Sequence, residues 1–214
     1  METTDYTRRY LEEVCEIASL VDGRMIDRMV ELLCETRARG GRLFFLGVGG
    51  GAGHAGHAVN DFRKIAGMEC YAPTDNVSEL TARVNDEGWE SCYANWLRGS
   101  HLRSGDTVFV FSVGGGCVRE RVSMNLVESL KLARRTGATI LGVVGRDGGY
   151  TAKVADACLI VPTLSDDTVT AHAESFQAVI WHLLVSHPGL KRNEMKWEQV
   201  AQLGAERSFS TAMA

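Results

Sequence analysis

The chain has 214 residues, 45% of them hydrophobic and 23% charged, enough for one sizeable core and a helical addition but not clearly enough for two domains. Lys and Arg total 23 against 27 Asp and Glu, giving a net charge of −4 with no basic run, which argues against a nucleic-acid surface. No apolar run approaches the ~18 residues of a membrane span. The six cysteines are scattered without a CxxC pair, and no apolar leader opens the chain, so free thiols in a reducing cytoplasm are expected.

In chain order, residues 1–40 predict two amphipathic helices. Tyr10, Leu11, Val14, Ile17, Ala18 and Val21 recur at helical spacing, and Met25, Ile26, Met29, Val30 and Leu33 continue after Asp22-Gly23. Such helices either cover a core edge or pair between subunits. Beyond Gly40-Gly41 the pattern changes to short apolar runs alternating with longer amphipathic stretches. Strands are expected at 43–46, 69–72, 108–111, 140–144 and 159–161. Helices are expected at 52–66, 77–84, 89–97, 118–135, 150–155 and 168–186, the last ended by Pro188-Gly189. Strand–helix alternation implies a parallel sheet with helices on both faces.

Two of the expected strands run into glycine-rich turns: Gly47-Val48-Gly49-Gly50-Gly51-Ala52-Gly53 after the first, and Ser112-Val113-Gly114-Gly115-Gly116-Cys117 after the third. Glycine permits a sharp turn and close approach to a ligand, and a helix N-terminus attracts an anion. Two such turns at neighbouring strand ends point to a small anionic ligand. The first also fits the dinucleotide pattern GxGxxA. That reading requires an acid at the far end of the second strand, whereas the only acid there, Glu69, lies at the wrong end.

The helix opened by the first turn carries His54, His57, Asn60 and Asp61, with His57 and Asp61 one turn apart on one face. The late helix carries Glu174, Gln177 and His182. His and carboxylate side chains on one cleft suit a divalent metal or acid–base chemistry. Glu174 and His182, eight positions apart, stand about 12 Å apart along the axis. From the residues alone, packing and capping roles for these histidines stay open. So does a capping role for Asn85-Asp86, a turn at Asp75-Asn76, and a helix N-terminal thiol of lowered pKa at Cys117.

Taken together, these segments resemble the sugar isomerase (SIS) domain family, and within it the phosphoheptose isomerases. The resemblance covers nearly the whole chain: the two N-terminal helices, GVGGGAGHAGHAVND, Asn85-Asp86, FSVGGGC, VVGRDGG at 143–149, and TAHAESFQAVIWH. It implies a three-layer αβα sandwich on a parallel five-stranded flavodoxin-like sheet, with an N-terminal helical pair (1–40) serving oligomerisation, the SIS domain (41–200) and a C-terminal tail (201–214). It implies an aldose–ketose isomerase of sedoheptulose 7-phosphate, working through an enediol in a homotetramer with shared active sites.

Position by position, the resemblance makes His57, Asp61, Glu174 and His182 metal ligands, with zinc the expected ion, and Asp61 and His182 the acid–base pair. Val48, Gly49, Gly50, Gly51, Asp61, Asn85, Asp86 and Glu174 would touch substrate. Ser112, Val113, Gly114 and Cys117 fall where the family binds the sugar phosphate. The chain departs from the family at several points. Gly51 stands where the family has serine, the second loop has lost most of its hydroxyls, and Asp61 replaces a glutamate. Glu174 replaces a glutamine, and Ala171 stands where an aspartate is usual. A sugar-phosphate-binding or replication-initiator-associating protein, and a specialised isomerase or epimerase, are therefore the rival expectations.

Overall fold

A computed structural model describes residues 3–200; the expected tail, 201–214, lies outside the described residues. Two helices, α1 (Thr3–Leu20) and α2 (Gly23–Ala38), precede the sheet. They are separate because Asp22 adopts an extended backbone and its carboxylate accepts from the Arg24 amide at 3.0 Å, capping α2.

The sheet comprises β1 (Leu43–Gly47), β2 (Cys70–Tyr71), β3 (Thr107–Ser112), β4 (Thr139–Val144) and β5 (Ala157–Ile160). Its order is β2-β1-β3-β4-β5 and every pairing is parallel, the flavodoxin-like arrangement that the resemblance implied. The strands are apolar on both sides because helices cover both faces. Leu43, Phe45, Phe109, Phe111, Leu141 and Val143 pack with α2, with α3 (Gly50–Lys64) and with α8 (Val169–Ser186). The alternate residues Phe44, Leu46, Val108, Val110 and Ile140 pack with α5 (Cys92–Gly99) and α6 (Met124–Thr136). Helices α4 (Val77–Glu87) and α7 (Gly149–Val154) complete this second layer. Phe45 anchors the first face, its ring 5.4 Å from Phe109 and 5.6 Å from Phe111. Truncating such a ring to alanine costs about 3–5 kcal/mol.

Of the N-terminal pair, α2 covers a core edge: Ile26, Met29, Val30, Leu32 and Leu33 are buried. By contrast, α1 leaves Tyr6, Leu11 and Leu20 exposed. One expected helix is displaced. Instead of starting at 118, α6 starts at Met124, because residues 117–122 form a small hairpin with a Cys117–Val122 bridge. Arg121 and Ser123 hold left-handed backbones, φ 53° and 51°, which a continuous helix cannot contain. Cys117 is therefore not a helix N-terminal thiol; Ser123 occupies that position. The last strand also lies earlier than expected, at Ala157–Ile160.

Candidate active site

The carboxyl ends of β1 and β3 open into the two glycine turns at the point where strand order reverses, the place where open α/β sheets bind ligands. After β1 the chain turns at Gly49 (φ 58°) straight into α3. Tyr93, buried on α5, holds this corner by donating its hydroxyl to the Gly47 carbonyl at 2.8 Å. Burial pushes that hydroxyl up to about 12. A Cβ at Gly51 would stand 2.4 Å from the Phe111 carbonyl oxygen, so α3 lies directly on β3 and no hydroxyl-bearing side chain fits at 51 without moving the two apart.

Helices α3 and α8 pack side by side, and this brings together residues distant in sequence. His57 Nε2 lies 3.8 Å from Asp61 Oδ2, and His182 Nε2 lies 4.0 Å from the same oxygen. The two imidazoles stand nearly perpendicular with centroids 5.6 Å apart. Beneath them the fully buried Trp181 ring sits 4.6 Å from His57, forming an apolar floor. Trp181 Nε1 and both polar atoms of Gln177 are buried without a hydrogen-bond partner among the described residues.

The outer hydrogen bonds decide which atoms are free. His182 Nδ1 is 2.8 Å from the Ala178 carbonyl, which can only accept, so Nδ1 carries the proton and Nε2 presents a lone pair to the hollow. Asn60 Nδ2 donates to Asp61 Oδ1 at 2.7 Å, leaving Oδ2 for the histidines. The ligating atoms of His57, Asp61 and His182 all lie within 4.8 Å of one another. A tetrahedral zinc with bonds of about 2.0–2.1 Å spaces its donors about 3.3 Å apart, so small side-chain rotations would fit this trio to an ion.

Glu174 does not join the trio. Its carboxylate occupies the space above Gly50, where an added Cβ would lie 2.4 Å from Oε2, and its charge is felt at His54. Burial pushes the His54 imidazole down against that charge. Thus Glu174 faces the first glycine turn while His182, two turns along α8, faces His57 and Asp61. Val48, Gly49 and Gly50 line the same corner, with Val48 half-buried and the two glycines exposed. Asn85 and Asp86 lie in the last turn of α4, exposed and hydrogen-bonded to each other at 2.7 Å.

In the second turn, the Ser112 hydroxyl is buried and accepts from the Gly115 amide at 3.0 Å. The Val113 carbonyl accepts from Gly145. Cys117 Sγ accepts from the Glu120 amide at 3.5 Å inside the hairpin. This loop is locked onto the β4–α7 turn: Tyr150 N donates to Gly116 O at 2.7 Å and Thr151 N to Gly115 O at 2.9 Å. A Cβ at Gly115 would stand 2.0 Å from the Gly148 oxygen, so this seam is backbone against backbone.

Sequence reasoning missed several residues here. Ser123 and the hairpin were hidden by an apolar pattern that reads as helix. Arg146, left-handed at φ 53°, and Lys153 come from the β4–α7 segment. Glu13 on α1 accepts from Thr168 Oγ1 and pairs with His172 Nε2, each at 2.8 Å, tying α1 to the start of α8. The Thr168 and His172 bonds hold the Glu13 carboxyl below its usual range. A histidine in the first turn of an apolar helix was the one available signal.

Comparison with known proteins agrees with this architecture. The chain is 31% identical over 150 residues to a phosphoheptose isomerase from Rhodospirillum rubrum, a match covering 68% of this chain and 74% of that protein. It is 32% identical over 164 residues to the lincomycin biosynthesis protein LmbN of Streptomyces lincolnensis, covering 73% of this chain but only 59% of that protein's length. Its backbone matches the phosphoheptose isomerase of Neisseria gonorrhoeae with a TM-score of 0.75 at 23% identity, covering 86% of this chain and 98% of that one. No protein-family model matches the sequence. The chain belongs to the phosphoheptose isomerase family, sugar-phosphate isomerases built on the SIS fold.

Proposed function

We propose that this protein is an aldose–ketose isomerase of a phosphorylated heptose, of the sedoheptulose 7-phosphate type. The observation that carries this reading is the convergence of His57 Nε2, Asp61 Oδ2 and His182 Nε2 beside the first glycine turn. A divalent metal, zinc being the expected one, would be held by these three residues and would polarise the substrate carbonyl and offset the charge that develops on it. Glu174, the fourth ligand by resemblance, stands nearer the first glycine turn, where it would meet the substrate.

Asp61 and His182 would share the proton transfers. One removes the proton from the carbon beside the carbonyl, and the C–H electron pair becomes the double bond of a cis-enediol. The other moves the hydroxyl proton between the two oxygens, and returning the first proton to the neighbouring carbon completes the exchange. His182 has a single basic atom, because Nδ1 is committed to Ala178. It can therefore serve proton transfer only while Nε2 is off the metal, so during turnover the ion would rest on His57 and Asp61 while Nε2 moves the proton. The buried Trp181 keeps one wall of this hollow dry, which strengthens the electrostatic interactions within it.

The active form would be a cytoplasmic homotetramer with shared active sites, with α1, whose Tyr6, Leu11 and Leu20 are exposed, at a subunit contact. No helix among the described residues is long and apolar enough to cross a membrane. Incubating the protein and zinc with sedoheptulose 7-phosphate in heavy water tests the reading. Deuterium entering the carbon next to the carbonyl, with an aldoheptose phosphate as product, supports it; no exchange with any heptose phosphate overturns it.

A second reading, a sugar-phosphate-binding protein without turnover, is favoured by one observation. Ser112, the one hydroxyl of FSVGGGC, is buried and accepts from the Gly115 amide inside the loop, so the turn has few hydroxyls left to position a substrate for turnover. Metal analysis separates the two: about one tightly held ion per chain supports the enzyme, and none, with no isomerisation, supports the binder.

A further inference from the structure

On the buried side of α8, Gln177 and Trp181 stand one turn apart, and both side chains are fully enclosed. Trp181 Nε1, Gln177 Oε1 and Gln177 Nε2 have no hydrogen-bond partner among the described residues. Around them α8 presents Phe176, Ile180 and Leu184 to the apolar core. An unpaired polar atom in such surroundings is costly, and a buried indole N–H ordinarily finds an acceptor. We propose that Gln177 is a positioning residue for the His57–Asp61–His182 trio. Its Oε1 accepts the Trp181 N–H, by rotation of the terminal amide or across one enclosed water, and so fixes the indole ring against which both histidines pack. This rests on the metal-assisted reading and says what holds its ligands in place.

The two groups are complementary. An indole N–H can only donate, and a glutamine oxygen only accepts. The other buried side-chain atoms left unpaired among the described residues are Arg9 Nε and Asn125 Nδ2, which are donors, and His172 Nδ1. His172 lies nine positions back along α8, about 13 Å away on the helix axis, with its other nitrogen on Glu13 of α1. Gln177 Oε1 is thus the unpaired acceptor within one turn of the indole. The torsion that turns a glutamine amide is broad, so the rotation meets little resistance.

Indole orientation matters because of what packs on it. The Trp181 ring centroid lies 4.6 Å from that of His57 at an interplanar angle of 59°, and 3.4 Å from that of His182 at 29°. His182 has a second restraint in the Ala178 carbonyl. His57 has none of that kind. Its side chain is 59% exposed, and among the described residues no hydrogen bond holds its ring nitrogens, the Asp61 oxygen being 3.8 Å away. Metal-binding histidines are ordinarily oriented by a hydrogen bond to the nitrogen that does not bind the ion. For His57 the indole face takes over that task, and it can do so only if its own rotation is fixed.

The test uses Gln177→Met, which keeps the length and helix preference of the side chain but removes its polar end, and Trp181→Phe, which keeps a ring but removes the N–H. Outer hydrogen-bond partners of metal ligands are worth about 10–100-fold in metal affinity. Zinc affinity, read by competition with a chromophoric chelator, should fall about that much in each variant, with the melting temperature near native. The double variant should lose no more than the weaker single one, because both changes cut the same link. Native zinc affinity in either single variant, or losses that add in the double, would overturn the proposal. A second measurement needs no metal. In the NMR spectrum of isotope-labelled protein, the indole N–H signal that disappears in Trp181→Phe should move in Gln177→Met, and the His57 ring protons beside the indole should move with it. If the native protein binds no zinc, the metal reading fails separately and these signals decide. A shift in both supports the positioning role, and an unchanged indole or His57 signal overturns it.

Discussion

His57 on α3 and His182 on α8 face each other with rings at 87° and centroids 5.6 Å apart, sharing the Asp61 carboxylate between them. Neither imidazole is buried, yet each is oriented from outside: His182 by Ala178, Asp61 by Asn60, and His57 by the Trp181 ring.

Replacing His182 by Ala should remove both a metal donor and a proton-transfer group while leaving the helix intact, because alanine is a strong helix former. Turnover of sedoheptulose 7-phosphate should fall by about 10²–10⁴, with bound zinc lost in elemental analysis and the melting temperature nearly unchanged. Native-like turnover by this variant would end the proposed role.

Asp61 is one methylene shorter than the family's glutamate, and the trio is built around that length. Asp61→Glu should keep bound metal but displace the carboxylate by more than an ångström, lowering kcat about 100-fold. Asp61→Asn should lower both metal content and rate. Stopped assays run with saturating zinc separate the two effects.

The Glu174 carboxylate fills the space over Gly50. In Gly50→Ala the new Cβ would lie 2.4–2.6 Å from that carboxylate, and its flexible end must swing away. The fold should be conserved or stabilised by up to about 1 kcal/mol, since alanine suits a first helical turn better than glycine. Activity should drop with Glu174→Ala to the same level, and the double variant should be no worse than either alone. An active Gly50→Ala enzyme would place Glu174 outside the reaction.

Asp106 is fully buried and paired with Arg42 at 2.7 Å. Burial acts to raise its carboxyl, but the Arg42 side chain and the Arg42 and Arg103 amides outweigh it, so the group titrates below its ordinary value. A depressed folded pKa contributes stability that is fully present above the unfolded value near 4 and lost as pH falls through the folded one. Melting temperature should therefore drop steeply below about pH 4, and Asp106→Asn should be less stable at pH 7 but flatter across that acid range. Arg42→Ala, which strands a buried charge, should cost about 3 kcal/mol by denaturant titration.

Alternating apolar runs and glycine turns were enough to place the five strands, and Asp22-Gly23 marked the break between α1 and α2. These are local signals: residue spacing determines which faces can be buried, and capping chemistry acts within one turn. His57 and Asp61 could likewise be paired from their spacing. The sequence could not show that the 117–122 stretch, whose apolar pattern suits a helix, instead folds into a hairpin. That outcome depends on left-handed Arg121 and Ser123. Nor could it show that Glu174 leaves the histidines for Gly50, or that the β4–α7 turn docks backbone to backbone on Gly115. Only the packing of α8 on α3 and of the β4–α7 turn on the second glycine loop decided those positions, because contacts across the fold depend on how whole elements fit together and not on neighbours in the chain.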